Sequence, residues 1–170
     1  MNTLFGKASD MPPRSVCAAF SGHRPKGLPW GYDERAEECV SLKARLCDEI
    51  RRAYSSGIRY FLSGMAEGFD TYAAEAVLSL SGELEGIELI AVFPYGTGKD
   101  ARSRGIASRA FEVISLCESH APGCMMARNR FLVNNSSLLI AAYSGDGRSG
   151  TAATMRMARE AGISIRVLGV

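Results

Sequence analysis

Residues 58–80 read IRYFLSGMAEGFDTYAAEAVLSL. An apolar run ends at Ser63. A short loop with glycines at 64 and 68 follows, and then an alanine-rich segment with helical spacing. The pattern predicts a strand, a tight turn and a helix. Gly64 lets the chain turn sharply and expose its amides. Gly68 lets the helix pack closely or leaves room for a ligand. Two explanations compete for the octapeptide SGMAEGFD, residues 63–70: a turn that only needs glycine, or a turn left bare so that a ligand can reach the backbone.

The same unit recurs outward in both directions. SVCAAF (15–20) is an apolar run that ends in the Gly- and Pro-rich loop SGHRPKGLPWGYD. Asp33 is expected to cap a helix running to about Ser55 and ended by Gly57. IELIAVFP (87–94) is too continuously apolar for a half-exposed strand and predicts one covered on both faces. KDARSRGIASRAFE is basic and partly helical. EVISLC (112–117) is a strand, CMMARNRFLVNNS a helix and SLLIAAY (137–143) a buried strand. The loop SGDGRSGT then opens a helix ended by Gly162, and ISIRVLG closes the sheet. Alternating strands and helices imply an α/β fold: an open parallel sheet with helices on both faces and right-handed crossovers. Residues 1–14 are expected to be a flexible tail and residues 15–170 a single domain.

At 170 residues the chain is long enough to bury a substantial core. A net charge of +2 neither demands nor forbids nucleic acid. No stretch has the length of a membrane span or the form of a signal peptide, so the expected location is cytoplasmic and no membrane partner is expected. Five cysteines, an odd number, suggest reduced thiols. Cys117, His120 and Cys124 offer three ligands without a second pair, so no metal and no cofactor is expected.

Ligands of such sheets collect beyond the carboxyl ends of the strands. Three glycine-bearing loops fall there: SGHRP, SGMAEGFD and SGDGRSGT. The first lacks the dinucleotide fingerprint. The third copies a P-loop superficially but lacks its lysine, because Thr151 follows Gly150 directly. It remains an anion site built from helix amides and hydroxyls at Ser149, Gly150 and Thr151, or a loop that merely needs flexibility. Asp70 suits the positive end of its helix, and it equally suits ribose hydroxyls. Arg24, Arg128 and Arg130 suit phosphate contacts or a solvated surface. Trp30 and Tyr95 are candidates for stacking on a base, or for plugging a local core.

The motifs FSGHRP, LSGMAEGFDTYAAE, ARNRFLVNNSSLLIAAYSG and GTAATMRMAREAG together resemble the YpsA-like branch of the SLOG superfamily, over Ser15 to Val170. Its relatives are DprA (Smf) proteins and LOG phosphoribohydrolases. The resemblance implies a Rossmann-like fold and a pocket for a nucleotide or nucleotide-derived ligand. By position it carries the family's motifs to Gly22 and Arg24, to Ser63, Gly64, Ala66, Gly68 and Asp70, to Arg128, Asn129 and Arg130, and to Gly150, Thr151, Ala152 and Thr154. Taken with the reading of the loops, the expected ligand-binding residues are Ser21, Gly22, His23, Arg24, Ser63, Gly64, Ala66, Gly68, Asp70, Arg128, Arg130, Ser149, Gly150 and Thr151. LOG enzymes need a glutamate where Thr154 stands here, so hydrolysis by their route is not expected. The leading expectation is therefore a sensor or sequestering module, with no catalytic residues, for a phosphate-bearing small molecule that is ADP-ribose-like or a cyclic nucleotide. A homo-oligomer stays open. One alternative is a nucleotide N-glycosidase using Asp70 or Glu67. The other is a DprA-type single-stranded nucleic-acid binder using Arg104, Arg109, Arg128 and Arg130. It is the weaker, because phosphate-chain binding wants a broad basic surface.

Overall fold

A computed structural model of the chain describes residues 3–5, by their backbone, and 11–170. Seven strands make one sheet in which every pairing is parallel. They are β1 (Thr3–Phe5), β2 (Cys17–Gly22), β3 (Tyr60–Ser63), β4 (Glu88–Tyr95), β5 (Glu112–Cys117), β6 (Leu138–Tyr143) and β7 (Ser164–Gly169), in the spatial order β1-β5-β4-β3-β2-β6-β7. Five helices connect them: α1 (Glu37–Ser55), α2 (Phe69–Ser79), α3 (Ala101–Arg109), α4 (Cys124–Asn134) and α5 (Gly150–Glu160). The expected Rossmann-like architecture is the one observed. Among the described residues no helix is long and apolar enough to cross a membrane.

The alternation along β2 explains why both faces are covered. Ala18 and Phe20 point to one side, where Phe61 and the Leu42, Leu46 and Ile50 ridge of α1 meet them. Cys17 and Ala19 point to the other, against Leu132 of α4 and Met155 and Ala158 of α5. All of these residues are buried. A sheet sandwiched in this way reads as continuous apolar runs, as β4 does.

The chain moves outward from β2 to β5, then crosses back to lay β6 on the other side of β2. Strand order therefore reverses between β2 and β6. The loops leaving these two strands diverge to opposite faces and open a crevice at their carboxyl ends.

Three local expectations differ. Asp33 does not cap α1: it accepts the Arg35 N–H at 3.1 Å, and the chain makes further turns before the helix begins at Glu37. Of the expected tail over residues 1–14, Thr3–Phe5 pairs with Val113–Ser115 as an edge strand. Residues 1–2 and 6–10 lie outside the described residues. Cys117 and Cys124 are joined in a disulfide rather than reduced, while Cys17, Cys39 and Cys47 are free. Gly57 and Gly162 do end their helices. Each has positive φ, and the next amide reaches back to the carbonyl of Ala53 or Ala158.

Candidate functional site

Two adjoining cavities open along the carboxyl edge of the sheet. The smaller, about 240 Å³, lies in the β2/β6 crevice. Its floor is Ser21, Gly22 and His23 from the end of β2, and one wall is the start of α5 at Ser149, Gly150 and Thr151. The opposite wall is Asp70 of α2 and Arg128 of α4. The larger, about 320 Å³, lies over the ends of β3 and β4. Phe93, Tyr95, Met65, Met125 and Tyr32 give it an apolar lining, with Glu67, Lys99 and Arg102 among its polar groups. Arg24, Ala66 and Arg128 line both cavities, so the two meet at a waist flanked by two arginines.

The amino end of α5 is open. The Ser149 hydroxyl accepts the Ala152 N–H at 3.2 Å, and Asp146 accepts those of Arg148 and Ser149. Among the described residues this leaves the Gly150 and Thr151 N–H groups without an intramolecular acceptor. Thr154, a turn later, donates its hydroxyl to the Gly150 carbonyl at 3.0 Å.

The octapeptide is held by its own side chains. Ser63 donates its hydroxyl to the Asp70 carbonyl at 2.8 Å and accepts the Met65 N–H at 3.2 Å. Thr71 donates to the Ala66 carbonyl at 2.8 Å. Met65 takes φ 58°, the one left-handed non-glycine among the described residues, a cost tolerated where the surroundings over-determine the backbone. Two of the glycines now have physical reasons. A side chain at Gly64 would fall 2.6 Å from the Arg128 guanidinium and 2.9 Å from the Asp70 carboxylate. One at Gly68 would strike the His23 carbonyl at 2.6 Å. The loops after β2 and β3 are thus interlocked, and the Phe69 N–H donates to that same His23 carbonyl at 3.2 Å.

His23 ties in the third loop. Its Nε2 accepts the Ser144 N–H at 3.2 Å, which places the ring proton on Nδ1, and its ring stacks on Tyr143 with centroids 6.0 Å apart.

Asp70 and Arg128 are buried at the heart of the site. Arg128 donates Nη1 to the Gly64 carbonyl and Nε to Asn129 Oδ1 at 2.8 Å. Burial lowers its pKa, and the Asp70 carboxylate opposes that shift. Asp70 Oδ2 accepts the Ala66 N–H at 3.3 Å, whereas Oδ1 has no partner. Burial pushes the Asp70 carboxyl above its ordinary value, against the pull of Arg128, the Ala66 amide and Arg24. The folded chain therefore holds this proton more tightly than the unfolded chain. The carboxyl costs no stability below its ordinary pKa of 3.8, and the cost grows as pH rises through the folded value. Relative to the wild type, Asp70→Asn is expected to gain in Tm as pH rises from 4 to 7, on top of a pH-independent cost from leaving buried Arg128 without its counter-charge. Calorimetric melts across that range check it.

At the far end of the larger cavity Arg102 forks between Glu34 and Glu75 at 2.6–2.8 Å, and Lys43 adds a 2.7 Å contact to Glu34. Hydrogen bonds from Arg102 and Lys43 hold the Glu34 carboxyl down to about 2. These charges are already satisfied.

Ten of the fourteen expected ligand-binding residues line the smaller cavity: Ser21, Gly22, His23, Arg24, Ala66, Asp70, Arg128, Ser149, Gly150 and Thr151. Gly64 and Gly68 line the larger one, as do Glu67 and Tyr95. Ser63 is buried behind the loop and lines neither. Arg130 is exposed and lines neither. Trp30 packs against the core and donates to the Tyr72 hydroxyl at 3.3 Å. Phe93, Met125, Tyr32 and Lys99 escaped sequence reasoning, because they come from separate elements and no local motif marks them. Met65 lies within the octapeptide but is not singled out there.

A doubly wound parallel sheet with three glycine-bearing loops gathered at its carboxyl edge defines a Rossmann-like α/β class. The chain belongs to the YspA SLOG family, whose model matches residues 18–164. A solved structure of DNA processing protein A from Helicobacter pylori, described with a unique single-stranded DNA binding mode, is similar in fold. The TM-score is 0.62 at 19% identity, covering 91% of this chain and 65% of that one. This chain thus spans less than two thirds of that structure's length. No functionally curated protein matches the chain.

Proposed function

We propose that the protein binds a nucleotide or nucleotide-derived small molecule across the two cavities, as a sensor or sequestering module. The observation that carries this reading is the junction itself. The open amino end of α5 faces a buried aspartate with one unpartnered oxygen, and two arginines flank the passage into an aromatic-lined chamber. Phosphate suits the α5 amides and the arginines. Ribose hydroxyls suit Asp70 Oδ1. A base suits Tyr95 and Phe93. Each cavity alone is at the small end for a ligand site, and joined they suit a ligand of ADP-ribose size. Binding rather than cleavage is favoured because the Thr154 hydroxyl is engaged with Gly150 and no acid stands in its place.

Thermal-shift measurements with ADP-ribose, AMP, NAD and cyclic dinucleotides test this. A ligand at a hundred times its Kd adds about 2.7 kcal/mol, or roughly 5–10 °C in Tm for a chain of this size. No shift with any of them overturns the reading.

Single-stranded DNA binding is a second reading, favoured by the structural neighbour. The side chains support it less. Arg128 is buried, and Arg104 donates to the Lys99 carbonyl at 3.2 Å. An affinity that rises with oligothymidylate length and falls steeply with salt would select it.

A further inference from the structure

We propose that Cys117 and Cys124 form a thiol–disulfide exchange site on the rim of the larger cavity, taking a dithiol reductant as its substrate and controlling the cavity through α4. Control of the cavity rests on the nucleotide reading, whereas the exchange chemistry does not.

Cys117 is the last residue of β5 and stands in register with Tyr95, a wall of the cavity. Cys124 is the first residue of α4, with its Cα 6.3 Å from that of Cys117. The segment between them, 118–123, is exposed, and its His120 ring sits edge-on to Tyr95 with centroids 5.2 Å apart. The bond therefore pins the start of α4 to the cavity wall. Met125, the next residue, lines the larger cavity, and Arg128, one turn on, lines both. The α4 N-cap is Gly123, which offers no side-chain cap, so the bridge is a covalent tether at an otherwise uncapped helix start.

The two sulfurs are not equivalent. Cys117 is half-buried and Cys124 is buried, so an incoming thiolate meets Cys117. Its attack on Cys117 Sγ breaks the S–S bond, and the electron pair leaves on Cys124 Sγ. The amino end of α4 favours that thiolate as a leaving group. The second thiolate of the reductant then attacks the mixed disulfide and releases Cys117. The reductant ends as its own disulfide, and its two thiol protons end on Cys117 and Cys124. The other cysteines are poor competitors: burial raises the thiols of Cys39 and Cys47 and pushes Cys17 up to about 11. Reduction frees the first turn of α4 and so changes how Met125 and Arg128 are presented to a ligand.

The full chain, oxidised with oxidised glutathione and trapped by alkylation in denaturant, is expected to take up three labels. After native incubation with dithiothreitol it is expected to take up five while its circular dichroism stays unchanged. The Kd for ADP-ribose is expected to differ by about tenfold between the two forms, with Cys124→Ser matching the reduced form. Five labels after oxidation, or reduction only in denaturant, overturns the exchange site. Equal, measurable affinity in both forms overturns the control of the cavity. Absence of ADP-ribose binding in both forms counts against the nucleotide reading, and the label counts then decide the exchange site alone.

Discussion

Arg128→Ala is expected to abolish nucleotide-dependent stabilisation and to weaken ADP-ribose binding by about a hundredfold or more. Arg128 lines both cavities at their waist, and its Nη2 has no acceptor among the described residues. Hydrogen bonds from a charged donor are worth about 1.5–3 kcal/mol each. Two of them to phosphate oxygens amount to about two or more decades of affinity. The substitution also strips the Gly64 carbonyl of its donor and Asp70 of the positive charge that acts on it most strongly. Removing one member of a buried charged set typically costs about 3–5 kcal/mol of stability. Arg128→Lys separates the two effects. It keeps the charge and loses the fork, so it should stay folded while binding weakens. Titration calorimetry on both variants, with thermal melts beside it, checks the pair. An Arg128→Lys protein with wild-type affinity would remove the arginine from the site.

Gly68→Ala is expected to be the most damaging single-methyl change in the octapeptide. Gly68 adopts φ 88°, ψ −130°, a conformation that side chains avoid. The added Cβ would meet the His23 carbonyl at 2.6 Å and Arg24 Cα and Pro25 Cδ at 3.1 Å each. These neighbours are backbone and a proline ring, so they cannot swing away as a flexible side chain would. Strain of about 1–3 kcal/mol adds to overpacking of about 1–3 kcal/mol, giving a loss of roughly 2–6 kcal/mol. Gly145→Ala is the control. It also has positive φ, but open space surrounds it, so only a conformational cost of about 1–2 kcal/mol is expected. Urea unfolding reads both. Equal losses at the two positions would mean that the first two loops are not interlocked.

Strands and helices were legible where one pattern ran unbroken. The apolar run 87–94 became β4 because a strand covered on both faces needs no polar alternation. The motif loops also converged, because strand order reverses at β2 and β6 and brings their ends together. What escaped reading depended on distant partners. Arg128 and Arg130 look alike in sequence, yet two residues on a helix are about 200° apart, so only Arg128 faces the cleft. The pairing of Thr3–Phe5 exists only because β5 leaves an edge free. The disulfide requires β5 to end where α4 begins, which cysteine spacing alone does not state. The larger cavity is assembled from the ends of β3 and β4, the start of α3, Tyr32 and Met125, contacts that no short-range period encodes.

Hydrogen-exchange mass spectrometry with and without saturating ADP-ribose tests the central claim most directly, because it reports where a ligand sits. Slowed exchange is expected in residues 21–24, 64–70, 95–103 and 149–152, which frame the two cavities, with little change along α1 and β7. Protection confined to the exposed arginines at 109 and 130, or no protection at saturation, would contradict a nucleotide site at the β2/β6 crevice.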